Sequence, residues 1–347
     1  MDSFLPWQQK DAQRLLADRD HLPHALLVHG LSGIGKREFV RALAATLLCD
    51  APHDGHACGQ CQSCLWVEAG NHPDLKLVRP EAVADREGSS VQSLDTEPAE
   101  SESGASGKKL SEELKVDQIR ALEPWYHRST HRAGWRVVVL YPADALSVVS
   151  ANALLKALEE PPPDTLFLLT SDAPDRMLPT IISRCQKFAL SVPDKQDCQQ
   201  WLQTKGLKDP DQWLAAAGGA PLAALAMSLA QDEACPSWAQ SLLTDLSKGQ
   251  MMDLPTLADN LAQLPAAQWL AVLQRLAIDA SFVAANLPAR YFPGLKADWD
   301  GLARPAKLSR MQELGAWLNH QATLANHPLS PKLFAQVCLQ RFCDAVL

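Results

Sequence analysis

Three groups of residues in this 347-residue chain have the types and spacings that chemistry needs. The first is Gly30-Leu31-Ser32-Gly33-Ile34-Gly35-Lys36-Arg37, which matches the phosphate-binding loop G-x-x-x-x-G-K in all but its final position. Gly30, Gly33 and Gly35 would let backbone N–H groups curl around a phosphate, and Lys36 would reach the β- and γ-phosphates of a bound nucleotide. The final position calls for a Ser or Thr hydroxyl to ligate Mg²⁺, and Arg37 stands there instead. The second group is Cys49, Cys58, Cys61 and Cys64, spaced C-x8-C-x2-C-x2-C, close enough for four thiolates to close a tetrahedral, structural zinc site. His53, His56 and His72 flank it, but four cysteines already fill a tetrahedron, which argues against catalytic zinc. The third is Ser183-Arg184-Cys185, whose arginine is by itself an ordinary surface cation.

The elements that must position these residues alternate. Residues 24–29 (HALLVH), 74–78 (DLKLV), 136–141 (RVVVLY) and 165–170 (TLFLLT) read as strands, and Phe39–Cys49, Ser147–Glu160 and Leu178–Ser183 as helices, the second stopped by Pro161 to Pro163. Short apolar runs alternating with helices predict a parallel sheet with crossover helices. The third strand, RVVVLY, should end in an Asp, often followed by Glu, to hold a metal and activate water, yet it runs into Tyr141-Pro142. Asp144, past the proline, reads as a turn or N-cap residue. With Arg37, two independent parts of a Mg²⁺ site are missing, and the loop reads as vestigial.

After about Val192 strand-like runs stop and apolar residues recur at three- and four-residue spacings, so the C-terminal third is predicted all-helical. Trp269, Leu270, Leu273, Leu276, Trp317, Leu318 and Leu324 are expected to pack inside that bundle, and the scattered Cys185, Cys198, Cys235, Cys338 and Cys343 to be core residues. Length suggests two or three domains and excludes a small disulfide scaffold. No basic leader or bilayer-length apolar run is present, which together with nine unevenly spaced cysteines predicts a soluble protein of a reducing cytoplasm, with no membrane partner. The net charge of −8 offers no nucleic-acid coat, but six of those charges lie in Glu81–Glu113, which holds nine acids and three bases. Rich in Ser, Glu, Gly and Ala and without aromatics, that segment is expected to be a disordered insertion.

Taken together, HALLVHGLSGIGK, the four-cysteine knuckle followed by Gly70-Asn71-His72-Pro73-Asp74, Asn152-Ala153-Leu154-Leu155-Lys156-Ala157-Leu158-Glu159-Glu160-Pro161-Pro162, and Ser183-Arg184-Cys185 resemble bacterial clamp-loader subunits of the AAA+ class, in order and spacing up to about Leu190. Within that family Arg37, Tyr141 and Pro142 fit the non-hydrolysing delta prime type better than the ATP-hydrolysing tau/gamma type. The resemblance implies an α/β AAA+ P-loop-type domain over 1–191 with a zinc knuckle at 49–64 and an acidic insertion at 81–113, a small helical lid over 192–235, and an all-α collar over 236–347. It also implies a stator in a DNA polymerase III clamp loader, a hetero-oligomer with tau/gamma ATPase subunits and a delta subunit that loads a sliding clamp on primed DNA, near the nucleoid. Arg184 would then reach in trans to the γ-phosphate of ATP held by a neighbouring subunit. Ala217-Gly218-Gly219-Ala220-Pro221 resembles the start of the helix that often carries a sensor arginine, with Pro221 in its place.

Two other readings compete. An active AAA+ ATPase using Lys36 with an unconventional metal site requires turnover that depends on Lys36. A zinc-dependent nucleic-acid-binding module requires basic residues around the knuckle, and the stretch from Cys49 to Cys64 has neither Lys nor Arg.

Overall fold

Strands made of uninterrupted Val and Leu cannot leave one face in water, and burial on both faces is the condition of a parallel sheet. In the computed structural model, which describes residues 3–88, 110–126, 128–131, 134–231, 233–250, 253–302, 308–325 and 330–346, that condition is met. Strands β1 (Ala25–His29), β2 (Leu75–Val78), β3 (Arg136–Leu140), β4 (Thr165–Ser171) and β5 (Gln186–Ala189) form one sheet in the order β2-β3-β4-β1-β5. Every pair is parallel, with Leu27 opposite Leu169, Val139 opposite Leu168 and Leu77 opposite Val139. The three central strands are buried almost throughout. Strand β5 escapes the sequence reading because it is an edge: only Phe188 of its four residues is buried, so it shows no apolar run.

Helices α1 (Gln9–Leu16), α2 (Lys36–Leu48), α3 (Gln62–Glu68), α4 (Glu81–Arg86), α5 (Val116–Arg120), α6 (Glu123–Tyr126), α7 (Val148–Glu159) and α8 (Pro179–Ile182) flank the sheet. Helix α2 buries Phe39, Val40, Leu43 and Leu47, with Phe39 stacked on Phe188 of β5 at 5.8 Å. Ser147 caps α7 by accepting a hydrogen bond from the Ser150 N–H at 3.2 Å, and Leu154 and Leu158 join Leu27, Leu140, Phe167 and Ile181 in one core.

One expectation needs correction. The stretch expected to be structureless from Glu81 onward begins with a helix, because composition averaged over 33 residues hides a local pattern. Pro80 precedes the first turn, Glu81 favours the helix N-terminus, and Ala84 packs inside. At the other end Ser111 returns to the same place, its carbonyl accepting from the Ala82 N–H at 3.0 Å, while Lys115 pairs with Glu81. Residues 89–109 of the acidic segment lie outside the described residues.

The chain divides into two compact units, Met1–Asp194 and Lys195–Leu347. The described elements of the second are all helical: α9 (Lys195–Thr204), α10 (Pro210–Ala216), α11 (Pro221–Ala230), α12 (Ser237–Ser247), α13 (Leu254–Leu261), α14 (Ala266–Ala284), α15 (Lys296–Gly301), α16 (Leu308–Leu324) and α17 (Pro331–Val346), with a short 3₁₀ turn at Pro293–Leu295. Trp269, Leu270, Leu273, Leu276 and Leu318 are buried as expected, Trp269 against Phe334 at 5.5 Å. Trp317 and Leu324 are only half-buried, and Arg341 covers the Trp317 ring at 4.7 Å. Cys185, Cys198, Cys235, Cys338 and Cys343 are all buried. Gly218 and Gly219 have positive φ and lead into Pro221 at the start of α11. Among the described residues no single helix is long and apolar enough to cross a membrane.

Candidate functional site

The phosphate loop leaves β1 and enters α2, and Gly30, Gly33 and Gly35 all have positive φ, of 147°, 79° and 90°. A side chain at Gly30 would also press on the Leu190 carbonyl, 3.2 Å from where a Cβ would lie. The loop is held from outside: Trp7 Nε1 donates to the Ile34 carbonyl at 2.9 Å and Gln8 Nε2 to the Gly35 carbonyl at 2.7 Å. Lys36, only 5% exposed, turns its ammonium inward. It donates to the carbonyls of Gly30 (2.9 Å) and Leu31 (2.6 Å) and pairs with Asp172, just past β4, at 2.5 Å. A carboxylate and two carbonyls thus supply the negative partners that a phosphate would offer this lysine.

The two positions expected to lack metal ligands are joined. Arg37 Nη1 donates to Glu87 Oε1 at 2.9 Å, and the Tyr141 hydroxyl donates to Glu87 Oε2 at 3.0 Å. Arg79 closes the group, its Nε 3.0 Å from the same Oε2, and Arg37 also pairs with its neighbour Glu38 at 2.5 Å. Burial pushes the Tyr141 phenol up to about 12, so it remains a hydrogen-bond donor. Around the end of β3, two guanidinium groups and a phenol therefore share one carboxylate. Asp144 sits in a 3₁₀ turn, where its Oδ1 accepts from the Ser171 hydroxyl at 2.9 Å.

Cys49 follows α2 directly, and Cys61 caps α3, whose first turn carries Cys64. Between them Asp54 and Gly55, both at positive φ, make a tight two-residue turn closed by paired hydrogen bonds between His53 and His56. All four Sγ atoms lie within 4.8 Å of one another. Cys49 to Cys61 and Cys58 to Cys64 are each 3.9 Å. A tetrahedron with Zn–S bonds of about 2.3 Å has edges of about 3.8 Å, so the donor set fits such an ion. Backbone N–H groups already point at the sulfurs, Cys58 to Cys49 at 3.2 Å and Cys61 to Cys58 and Cys64 to Cys61 at 3.4 Å, the partners that metal thiolates favour. The N–H groups of Gln60 and Cys61 pull the Cys58 thiol down to about 6, while burial pushes Cys64 up. The cluster can hold a metal ion. The flanking histidines have other work: His56 and Phe4 meet edge to face with ring centroids 5.5 Å apart, and His72 Nδ1 accepts from the Asp74 N–H at 3.0 Å.

Arg184 lies just past α8, with Cys185 beside it in the core. Its guanidinium is reached by solvent, the side chain being 33% exposed, and is held by Glu159 Oε1 at 2.5 Å and by the Thr180 carbonyl at 3.0 Å. Glu87, Asp172 and Glu159 were not singled out from the sequence. Each meets its basic partner only through the fold, and only Glu159 lies inside one of the sequence motifs.

The family profile described as DNA polymerase III, delta subunit matches residues 8–194, the whole α/β unit but for its first residues. The chain is 37% identical over 228 residues to DNA polymerase III subunit delta′ of Pseudomonas aeruginosa, an alignment that spans 65% of this chain and 61% of that protein, less than two thirds of it. It is 32% identical over 314 residues to DNA polymerase III subunit delta′ of Escherichia coli, spanning 88% of this chain and 85% of that one. DNA polymerase III subunit tau of Escherichia coli is 29% identical over 180 residues, 52% of this chain and 23% of the relative. A profile that covers the sheet and its loops, and a relative aligned through most of the helical unit as well, make this chain a member of the DNA polymerase III delta prime subunit family.

Proposed function

We propose that this chain is the non-hydrolysing delta prime, or stator, subunit of a DNA polymerase III clamp loader, and that it donates Arg184 in trans to ATP bound by a neighbouring tau/gamma subunit. The observation that carries the reading is the pairing of Arg37 and Tyr141 on Glu87, which puts a cation and a neutral phenol at the two positions where a hydrolase holds its metal. Lys36 is buried and engaged with Asp172, whereas Arg184, though paired with Glu159, is one-third exposed on a turn fixed by the core. An arginine suits work across an interface because its charge is permanent and its fork can hold two phosphate oxygens. Its positive charge would stabilise the charge that develops as the γ-phosphoryl group leaves, an effect worth ~10³-fold or more in rate. Cys49, Cys58, Cys61 and Cys64 would hold a structural zinc ion that fixes the knuckle between α2 and α3, with no position left for substrate.

In this reading residues 192–235 form the lid and 236–347 the collar that joins a ring with tau/gamma and delta subunits. The assembled ring, rather than this chain alone, engages the sliding clamp and primed DNA. The test is reconstitution with the other subunits. Arg184→Ala should leave assembly intact and reduce the ATPase of the complex, and unchanged turnover refutes the trans role. The isolated chain should not hydrolyse ATP; turnover abolished by Lys36→Ala would establish an active ATPase instead.

A further inference from the structure

We propose that Glu159 is a positioning residue for Arg184, holding the guanidinium in the orientation in which it meets the neighbour's phosphate. The inference rests on the trans role of Arg184 proposed above. Glu159 is the last residue of α7 and is followed by Glu160, so two carboxylates stand at the negative end of a helix dipole, where acids are unfavourable and cations favoured. Helix stability gives no reason for Glu159 there. Lys156, one turn back, does not relieve it, since its ammonium pairs with Glu123. Arg184 does, through the 2.5 Å contact from its Nη2 to Glu159 Oε1.

The geometry suits positioning rather than sequestration. Nη1 donates to the Thr180 carbonyl at 3.0 Å and reaches Ser183 Oγ at 3.4 Å, while Nη2 is held by Glu159, so both ends of the fork are fixed. A guanidinium has five N–H donors, and these contacts leave Nε–H and at least one further N–H for phosphate oxygens. The two anchors belong to separate helices tied by one core, Leu154 and Leu158 from α7 and Ile181 from α8 packing together with Cys185. The carboxylate thus transmits the position of a buried helix pair to the tip of an otherwise flexible side chain. An unanchored arginine would have to lose that freedom in the transition state itself, at the expense of rate.

The experiment is a double-mutant cycle in the reconstituted complex, read as DNA-stimulated ATPase with kcat and KM for ATP separated. Arg184→Ala sets the full loss. Glu159→Ala should produce at least about half of that loss, in kcat and not in KM, because the anchored group acts in the transition state. Glu159→Gln, which still accepts a hydrogen bond, should restore most of the rate. Adding Glu159→Ala to Arg184→Ala should cost nothing further, since the carboxylate acts through a side chain no longer there. Full activity of Glu159→Ala beside a deficient Arg184→Ala overturns the positioning role and leaves the trans role standing. An equal loss from Glu159→Ala in both backgrounds overturns it in favour of a structural role, which a fall in the melting temperature of the isolated chain would accompany. Full activity of Arg184→Ala overturns both.

Discussion

Glu87 holds together the cations and the phenol around the end of β3, so its removal has the largest consequence there. It ties Arg37, Arg79 and Tyr141, which come from α2, the end of β2 and the end of β3, so one carboxylate links three elements. Glu87 and Arg79 are 10% and 11% exposed, whereas Arg37 is 46% exposed. Breaking a buried pair by deleting one partner costs about 3–5 kcal/mol, because the other charge is stranded. The Arg37 arm, wetter and also served by Glu38, adds at most about 0.5–1 kcal/mol. The Arg79 pair is not wholly dry, so Glu87→Ala should destabilise the α/β unit by about 3 kcal/mol. In a unit of this size that corresponds to a fall in melting temperature of about 6–12 °C. Glu87→Gln keeps an acceptor for the Tyr141 hydroxyl and should lose less, about 2 kcal/mol. Differential scanning calorimetry of the isolated chain resolves both. Removing the cations should then partly undo the damage: Arg79→Met in the Glu87→Ala background should cost less than Arg79→Met alone. A Glu87→Ala protein that melts within about 1 °C of the parent would show that Glu87 and Arg79 form no buried pair.

Other outcomes follow from the same structure. Arg37→Thr restores a hydroxyl but leaves Tyr141 on Glu87 and Lys36 on Asp172, so the isolated chain should still show no Mg²⁺-dependent ATP hydrolysis in a phosphate-release assay. Cys64→Ser should lower the zinc content measured by atomic absorption from one ion per chain toward zero, while Cys235→Ser, a buried thiol of the helical unit, should leave it at one. Chelation of the wild-type protein should raise proteolysis within residues 49–64 before the sheet unfolds, because the knuckle lies outside the sheet. Deleting 81–111 should destabilise the α/β unit, as it removes Ala84, Glu87 and the Glu81–Lys115 pair, read as a fall in the melting temperature by circular dichroism.

What could be read from the sequence depended on whether a signal was local. Glycine spacing, the cysteine knuckle and the strands of continuous Val and Leu are each written within sixteen residues or fewer, and each has its counterpart in the structure. Strand β5 was missed because an edge strand with one buried residue carries no period, and α4 was missed because a short helix was averaged into a polar segment. The partners of the site were out of reach for a different reason. Arg37 and Glu87 are 50 positions apart and Tyr141 and Glu87 54, and a single acid in a charged segment says nothing about which cation it will meet. His53 and His56 show the converse: near the cysteines they invite a metal reading, but the Asp-Gly between them already specifies a turn.

The departures at Arg37 and Tyr141 are better understood as one change than as two losses. An arginine at the end of a phosphate loop adds a second cation beside Lys36, at the positive end of α2, and without phosphate or other anions that concentration of charge would oppose folding. Here each cation has its own carboxylate, drawn from a different part of the chain: Asp172 past β4 for Lys36, and Glu38 within α2 and Glu87 past α4 for Arg37. Tyr141, where a metal-binding acid would add a further negative charge, supplies a neutral donor to the same Glu87. Negative charge that a nucleotide would bring to an active site is thus built into the protein, and the loop is electrostatically complete without a ligand. On the trans role proposed for Arg184, an α/β unit whose loop carries its own counter-charges would present that arginine whatever the nucleotide state of the loop, as a fixed donor of a catalytic group to its neighbour requires.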